Sequence, residues 1–465
     1  MKIYDTIAAV ATPIGSGGVA IIRVSGEDAV RISQSIIKTR SGKALSELES
    51  HKLTLSYVCD PDAENDIIDQ ALVAVMFSPS SYTGEDVVEI NCHGGYFAAQ
   101  TILDRLLKAG ARLAEPGEFT RRAFMNGKTD MLGAEAAIDI IDSHSNLGLQ
   151  NAAKSLCGAL SDRINALRER IIAITAHISA AADYPEEVDE PDTAELCGEI
   201  AGISSEIDKL LSGFNTGKIL RDGITTVIVG KPNVGKSSIL NALARADRAI
   251  VTDIPGTTRD IIEEYINIKG AALRLMDTAG IRAADDEVEQ IGVELAKESI
   301  EKADLCLFVI DSAAALTDED YQIADKLKNS TALAILNKTD KGGEATKDMI
   351  IRELGFPESA IVETATPKDE PPSGIEALED KIADMFITGK ADTGEVFISN
   401  ERQKDSLLKA KNSIALALDA AENGAPFDLL YIDLEDSLSA LGEVIGLTVQ
   451  EEIIDQVFSR FCVGK

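Results

Sequence analysis

Apolar residues recur along this chain with two periods, and the changes of period divide it into four stretches. Residues 1–120 mix both. Short apolar runs at 7–11 and 18–24, separated by the turn-rich Pro13-Ile14-Gly15-Ser16-Gly17-Gly18, predict strands, as do 70–77 and 86–91. Apolar positions three and four apart predict helices over 28–37 and 96–109, the second closed by Gly110. This stretch reads as a small α+β domain. Over 121–222 the helical period takes over, with apolar faces at 134–141, 149–160 and 164–182. An acidic connector at 183–192 interrupts them and reads as a solvated loop or a partner contact. Residues 223–383 alternate again, but the runs at 225–229, 273–276, 305–310 and 333–336 are continuously apolar, as parallel strands buried on both faces must be. That pattern predicts a doubly wound α/β sheet. The helical period returns over 384–465, most clearly from 399 to 457. The two helical stretches are expected to pack as one domain with the α/β unit inserted between them, which makes the fold class multidomain α/β.

The inserted unit carries the chemistry. Gly230-Lys231-Pro232-Asn233-Val234-Gly235-Lys236-Ser237-Ser238 follows a predicted strand and opens a predicted helix, the context a phosphate-binding loop requires. Its glycines let backbone N–H groups wrap phosphates, Lys236 reaches the β- and γ-phosphates, and Ser237 ligates Mg²⁺. Three further elements follow in order: Thr252-Asp253-Ile254-Pro255-Gly256-Thr257-Thr258, then Asp277-Thr278-Ala279-Gly280, then Asn337-Lys338-Thr339-Asp340. Thr258 is the expected second magnesium ligand, and Gly280 offers its N–H to the γ-phosphate. Asn337 and Asp340 at a strand end supply an amide and a carboxylate that select guanine over adenine. Any one of these fragments has a structural reading, but the ordered set points to GTP. Thr364-Ala365-Thr366 stands where many GTPases have Ser-Ala-Lys, and the Ala365 N–H is expected to meet the guanine oxygen. Ile281 follows Gly280, where Ras-like enzymes carry the Gln that orients water. Glu289 is a candidate for that task, or an exposed helix charge. No arginine finger stands out beyond the candidates Arg259 and Arg282, so a cation held in part by Asn233 is an alternative source of positive charge.

Charge and cysteine content narrow the setting. The 465 residues carry a formal net charge of −33, which repels nucleic acid at long range, so an RNA substrate needs a local basic patch or a basic partner. The six cysteines are scattered without a CxxC pair and read as reduced thiols. No apolar run approaches the ~20 residues of a membrane span, and the N-terminal residues lack a signal-peptide layout, so a cytoplasmic protein without membrane contact is expected.

Further motifs lie outside the α/β unit. They are Asp5-Thr6-Ile7-Ala8-Ala9, Ala11-Thr12-Pro13, Gly17-Gly18-Val19, Ile22-Arg23-Val24-Ser25-Gly26 and Ser81-Tyr82-Thr83-Gly84-Glu85-Asp86-Val87-Val88-Glu89. His93-Gly94-Gly95, Pro116-Gly117-Glu118-Phe119-Thr120, Arg122-Ala123-Phe124-Met125-Asn126-Gly127-Lys128 and the terminal Phe461-Cys462-Val463-Gly464-Lys465 complete the set. With Thr252 to Asp260, these make the chain resemble, over nearly its whole length, the MnmE (TrmE) family of tRNA-modification GTPases, in the group that includes Era and EngA. Val463 stands where that family usually has Ile, and Glu435 where it often has Arg.

The resemblance implies a homodimer whose N-terminal domains bind 5-formyl-tetrahydrofolate or a related one-carbon folate through Arg23, Glu89 and Lys128, with Lys465 close by. Taken as residues alone, Glu89 reads equally as a strand-edge charge and Lys128 as a helix cap. It also implies potassium activation through Asn233, Thr252, Ile254 and Thr257, and a water-orienting role for Glu289. The implied partner is the flavoprotein MnmG (GidA), in a heterotetramer. The implied product is 5-aminomethyl or 5-carboxymethylaminomethyl uridine at the wobble position of certain tRNAs. Cys462 is either a catalytic thiol or a thiol packed beside the folate pocket. Two other readings share the nucleotide motifs: a ribosome-assembly GTPase acting as a binding switch, and a folate-binding regulator with vestigial hydrolysis.

Overall fold

The computed structural model describes residues 5–13, 15, 17–63, 66–246, 264–276, 299–367, 370–386 and 395–465. The N-terminal region forms a sheet of β1 (Ile7–Val10), β2 (Val19–Ser25), β3 (Ile37–Thr39), β4 (Thr54–Asp60), β5 (Asp66–Met76), β6 (Val87–His93) and β7 (Arg112–Leu113). The strand order is β3-β4-β5-β6-β2-β1-β7, antiparallel throughout except where β1 meets β7. Ala20, Ile22 and Val24 of β2 and Val88 and Ile90 of β6 point into one core, against Ile102 and Leu106 of the helix Tyr96–Lys108. The two-residue period of a strand therefore puts Arg23 on the opposite face, where it lies in register with Glu89. The helix expected over 28–37 is shorter, Ala29–Gln34: Ile36 and Ile37 leave it and are buried in the core, with Ile37 starting β3. The division placed at 120 falls inside the helix Glu118–Met125, whose Phe119 packs against Ile7, Ala9 and Ala114.

Helices Met131–Ile141, Asn146–Leu156, Ala159–Asp183, Thr193–Ser212 and Phe214–Asp222 precede the α/β unit. Helices Glu401–Glu422, Phe427–Ile445 and Glu451–Phe458 follow it. Ile164, Ile171, Ile200 and Ile207 from the first set share one buried core with Leu407, Ile414, Leu434 and Leu441 from the second. The apolar run at 149–160 is not one helix. Gly158 at φ 91° breaks it, because a residue there must adopt the left-handed region.

The inserted unit is a six-stranded sheet of β8 (Ile224–Val229), β9 (Glu264–Ile268), β10 (Ala271–Leu275), β11 (Leu305–Asp311), β12 (Ala332–Asn337) and β13 (Ile361–Glu363). Its order is β13-β12-β11-β8-β10-β9, parallel except for β9, which pairs antiparallel to β10 at one edge. The strands β9 and β10 join through Lys269 and Gly270, both at positive φ, the conformation of a tight hairpin turn. Neither β9 nor β13 stood out by continuous apolarity, since both are short edge strands. Among the described residues, no helix is long and apolar enough to cross a membrane.

Candidate functional site

Strand β8 delivers the chain to Gly230, and the helix Lys236–Ala246 leaves from the far end of the loop. Two glycines are required by close approach. A Cβ on Gly230 would come within 2.4 Å of the Val309 carbonyl, and one on Gly235 within 2.2 Å of the Asn337 amide nitrogen. Both also have positive φ, 146° and 104°. Lys236 Nζ donates to the carbonyls of Gly230 (2.6 Å) and Lys231 (2.8 Å), and its burial lowers the amine pKa. The loop is thus already folded around its own lysine. Asn233, at φ 63°, is exposed, as are Ser237 and Ser238 in the helix's first turn, while Val234 is buried.

Hydrogen bonds join this loop to the ends of β12 and β13. Asn337, fully buried at the end of β12, donates Nδ2 to the Val234 carbonyl at 3.0 Å. Its Oδ1 accepts from the hydroxyls of Thr364 (3.2 Å) and Thr366 (3.3 Å). Lys338 donates to the Asn233 carbonyl at 2.7 Å and pairs with Asp311 at 2.6 Å. Asp340 stands exposed in the following 3-10 turn, with its carboxylate open to a ligand. One expectation fails. The Ala365 N–H donates to the Ser373 carbonyl at 3.1 Å, because the two residues form a β-bridge, so it is not aimed at a guanine oxygen. An anchor that the motifs did not reveal is Lys231, which pairs with the buried Asp320 at 2.6 Å and ties the loop to the helix Asp318–Leu327. No local signal marks a pair so distant in sequence. Thr252, Asp253, Ile254, Pro255, Gly256, Thr257, Thr258, Arg259, Asp277, Thr278, Ala279, Gly280, Ile281, Arg282 and Glu289 lie outside the described residues.

A second constellation forms on the N-terminal sheet. Arg23 Nε donates to Glu89 Oε1 at 2.9 Å across β2 and β6. Its guanidinium carbon lies 5.5 Å from the Tyr82 ring centroid and 5.6 Å from that of Phe119. Its NH1 donates to the Gly464 carbonyl at 3.2 Å. The last residues reach this place because the tail bridges Pro116 through Val463, and the Lys465 carbonyl accepts from the Phe119 N–H at 3.3 Å. Gly464, at φ 102°, lies so close to β1 that a Cβ there would meet the Val10 carbonyl at 2.4 Å. Burial and the neighbouring Arg23 lower the pKa of the Lys465 amine. Lys128 is exposed and donates to the Pro79 carbonyl at 3.0 Å, on the loop that also carries Tyr82. The buried Arg122 holds that loop, pairing with Glu85, Asp5 and Glu118. Cys462 is exposed. Thus Arg23, Glu89 and Lys465 converge and Lys128 is tied to the adjoining loop. Tyr82 and Phe119 complete the site, and each sits inside a motif whose neighbours had already drawn attention.

A glycine loop between a parallel strand and a helix, wired to an Asn-Lys-Thr-Asp strand end, defines a P-loop GTPase. The family models of its relatives then fix which one. That for the GTP-binding protein TrmE N-terminus matches residues 6–128, and that for the MnmE helical domain matches residues 131–462. The chain is 46% identical over 467 residues to the tRNA modification GTPase MnmE of Clostridioides difficile (strain 630), covering 100% of both chains. It is 44% identical over 470 residues to that of Alkaliphilus oremlandii (strain OhILAs), again covering 100% of both. The chain belongs to the MnmE family of tRNA modification GTPases.

Proposed function

We propose that this GTPase works in the cytoplasm as a homodimer, associates with the flavoprotein MnmG (GidA), and with it forms 5-aminomethyl or 5-carboxymethylaminomethyl uridine at the tRNA wobble position. The observation that carries this reading is the terminal Cys462-Val463-Gly464-Lys465 segment folded onto Arg23 and Glu89. A GTPase acting only as a ribosome-assembly switch has no use for that second site. The pocket suits a one-carbon folate. Arg23, paired with Glu89, and the neighbouring Lys465 amine are cationic side chains that can meet the ligand's glutamate carboxylate. Glu89 accepts from pterin N–H groups, and Tyr82 and Phe119 offer ring faces.

At the nucleotide site, the geometry of the described residues fits GTP with Mg²⁺. Lys236, beside the loop carbonyls, and the loop N–H groups would hold phosphate, the exposed Ser237 would ligate the metal, and the exposed Asp340 would accept from the guanine N–H groups. Thr258 would be the second magnesium ligand. Asn233 presents an exposed amide oxygen suited to K⁺, with Thr252, Ile254 and Thr257 as the other ligands. Such a cation supplies the positive charge that other GTPases take from an arginine, and Glu289 would orient the attacking water. The departure at Ala365 leaves guanine reading to Asp340 and to the Asn337 scaffold. Phosphate release by the full-length protein should be at least about tenfold slower in sodium than in potassium; equal rates in the two salts would remove the cation. Mass spectrometry of wobble uridines from cells lacking the gene, with and without this chain restored, tests the product; unmodified uridines after restoration would overturn the reading.

A further inference from the structure

A single piece of the helical body touches both sites' surroundings. The β9–β10 hairpin lies in sequence between the 247–263 segment, which carries Thr258, and the 277–298 segment, which carries Gly280 and Glu289. The His144 ring stacks on Tyr265 of β9, with centroids 3.6 Å apart and planes 14° from parallel. Three residues on, the Leu147 N–H donates to the Gly270 carbonyl at 3.3 Å, and a Cβ on Gly270 would sit 2.9 Å from Leu147 Cγ, so this side chain rests on the hairpin turn. Just before them, Asp139 binds both chains at the root of the nucleotide domain. It accepts from Arg221 at 2.8 Å, on the helix that enters it, and from Ser399 at 3.2 Å, on the segment that returns. Asn151 adds a two-way hydrogen bond to the Phe397 backbone.

At its other end, the helix Met131–Ile141 packs Ala134, Ala137 and Ile138 against Phe458 and Phe461. Phe461 is the residue before the tail whose Gly464 carbonyl accepts from Arg23. A contiguous chain of packed groups therefore runs from the hairpin between the two nucleotide-sensing segments to the Arg23 pocket.

We propose that residues 131–148 couple the two sites, with His144 as the positioning residue that passes the state of the β9–β10 hairpin through the helix Met131–Ile141 to the C-terminal tail. Nucleotide binding shifts the hairpin, the helix follows because it is clasped at Asp139 and the segment that leaves it is held at His144, and the tail resets its hold on Arg23. The reverse also holds, since a coupling free energy acts equally in both directions.

The test is hydrogen exchange on the full-length protein with and without a non-hydrolysable GTP analogue. In the wild type, the analogue should change protection at residues 131–141 and 458–465. In His144→Ala that change should vanish while analogue affinity stays within about twofold, and His144→Phe, which can still stack on Tyr265, should restore it. Tyr265→Leu breaks the same contact from the other side and stands in if His144→Ala does not fold. An unchanged response in these variants, or no response in the wild type, overturns the coupling. A second arm rests on the folate reading. The analogue should alter 5-formyl-tetrahydrofolate affinity by about fivefold or more in the wild type, with the reciprocal effect equal, and by less than about twofold in His144→Ala. If the protein never binds the folate, the pocket reading fails, while the exchange arm still decides the coupling.

Discussion

Single residues at the two sites are fixed by contact distances rather than by chemistry alone. Gly235 is the sharpest case: its φ of 104° is strained for any side chain, and a Cβ would collide with the buried Asn337 amide. Gly235→Ala should weaken GTP binding by at least about tenfold with little change in folding, read by calorimetric titration and thermal melting. Binding within twofold of wild type would show that the loop tolerates the clash. Gly464 makes the parallel case at the other site. Gly464→Ala must push the tail off Val10, so on the proposed folate reading 5-formyl-tetrahydrofolate affinity should fall by at least about tenfold while GTP turnover is retained. Loss of both activities together would mean that the tail supports the whole fold instead of the pocket. The sequence exposed both glycines through their motifs. That Lys231 is anchored by Asp320, or that the Ala365 N–H is taken by Ser373, was not legible, because the partners are brought together only by the order of strands.

Elements behave as their periodicity dictates until a neighbour intervenes. The helix Met131–Ile141 has a conventional start, with Asp130 accepting from the Gly133 N–H, but carries a buried carboxylate, Glu135, and a largely buried one, Asp139. Burial pushes Asp139 up to about 6, against the opposing pull of Arg221, and the nearby charge of Glu135 adds to the rise. The folded chain therefore binds a proton between about pH 6 and pH 4 that the unfolded chain, with its ordinary value of 3.8, does not hold. The ionised carboxylate costs stability above its folded pKa, and that cost disappears as the pH falls toward 4. The stability of the wild type relative to Asp139→Asn should thus rise by up to about 3 kcal/mol from pH 7 to pH 4, measured by urea unfolding at each pH. A difference independent of pH would refute the assignment. At this scale the sequence signalled the long helices and the continuous buried strands well. It overran at 28–37, because Ile36 and Ile37 satisfy a helix's spacing yet are taken by the sheet, and it missed β9, whose half-polar alternation follows from its place at an edge.

The molecule as a whole depends on joining two helical stretches separated by the nucleotide domain. Arg402 makes a two-way pair with Glu135 at 2.7 and 2.8 Å, donates to the carbonyls of Glu443 and Val444, and is joined on Glu135 by Gln403. Removing Arg402 strands a carboxylate with only 8% side-chain exposure. Arg402→Ala should therefore cost about 3 kcal/mol in denaturant unfolding of the helical body, while GTP affinity of the folded protein is unchanged. A loss below about 1 kcal/mol would show that Glu135 finds another partner or a proton. The sequence by itself determined the ligand class, the sheet type of the inserted unit and the helical character of its flanks. Phosphate loops and buried strands are short-range patterns, written in consecutive residues. The tertiary structure decided what those parts can do together: the tail completing the Arg23 site, His144 seated on Tyr265, and Asp139 clasping the chain where it enters and leaves the insertion. Those contacts join residues up to several hundred positions apart, and only burial of a common core and the close approach of backbones bring them within hydrogen-bonding reach.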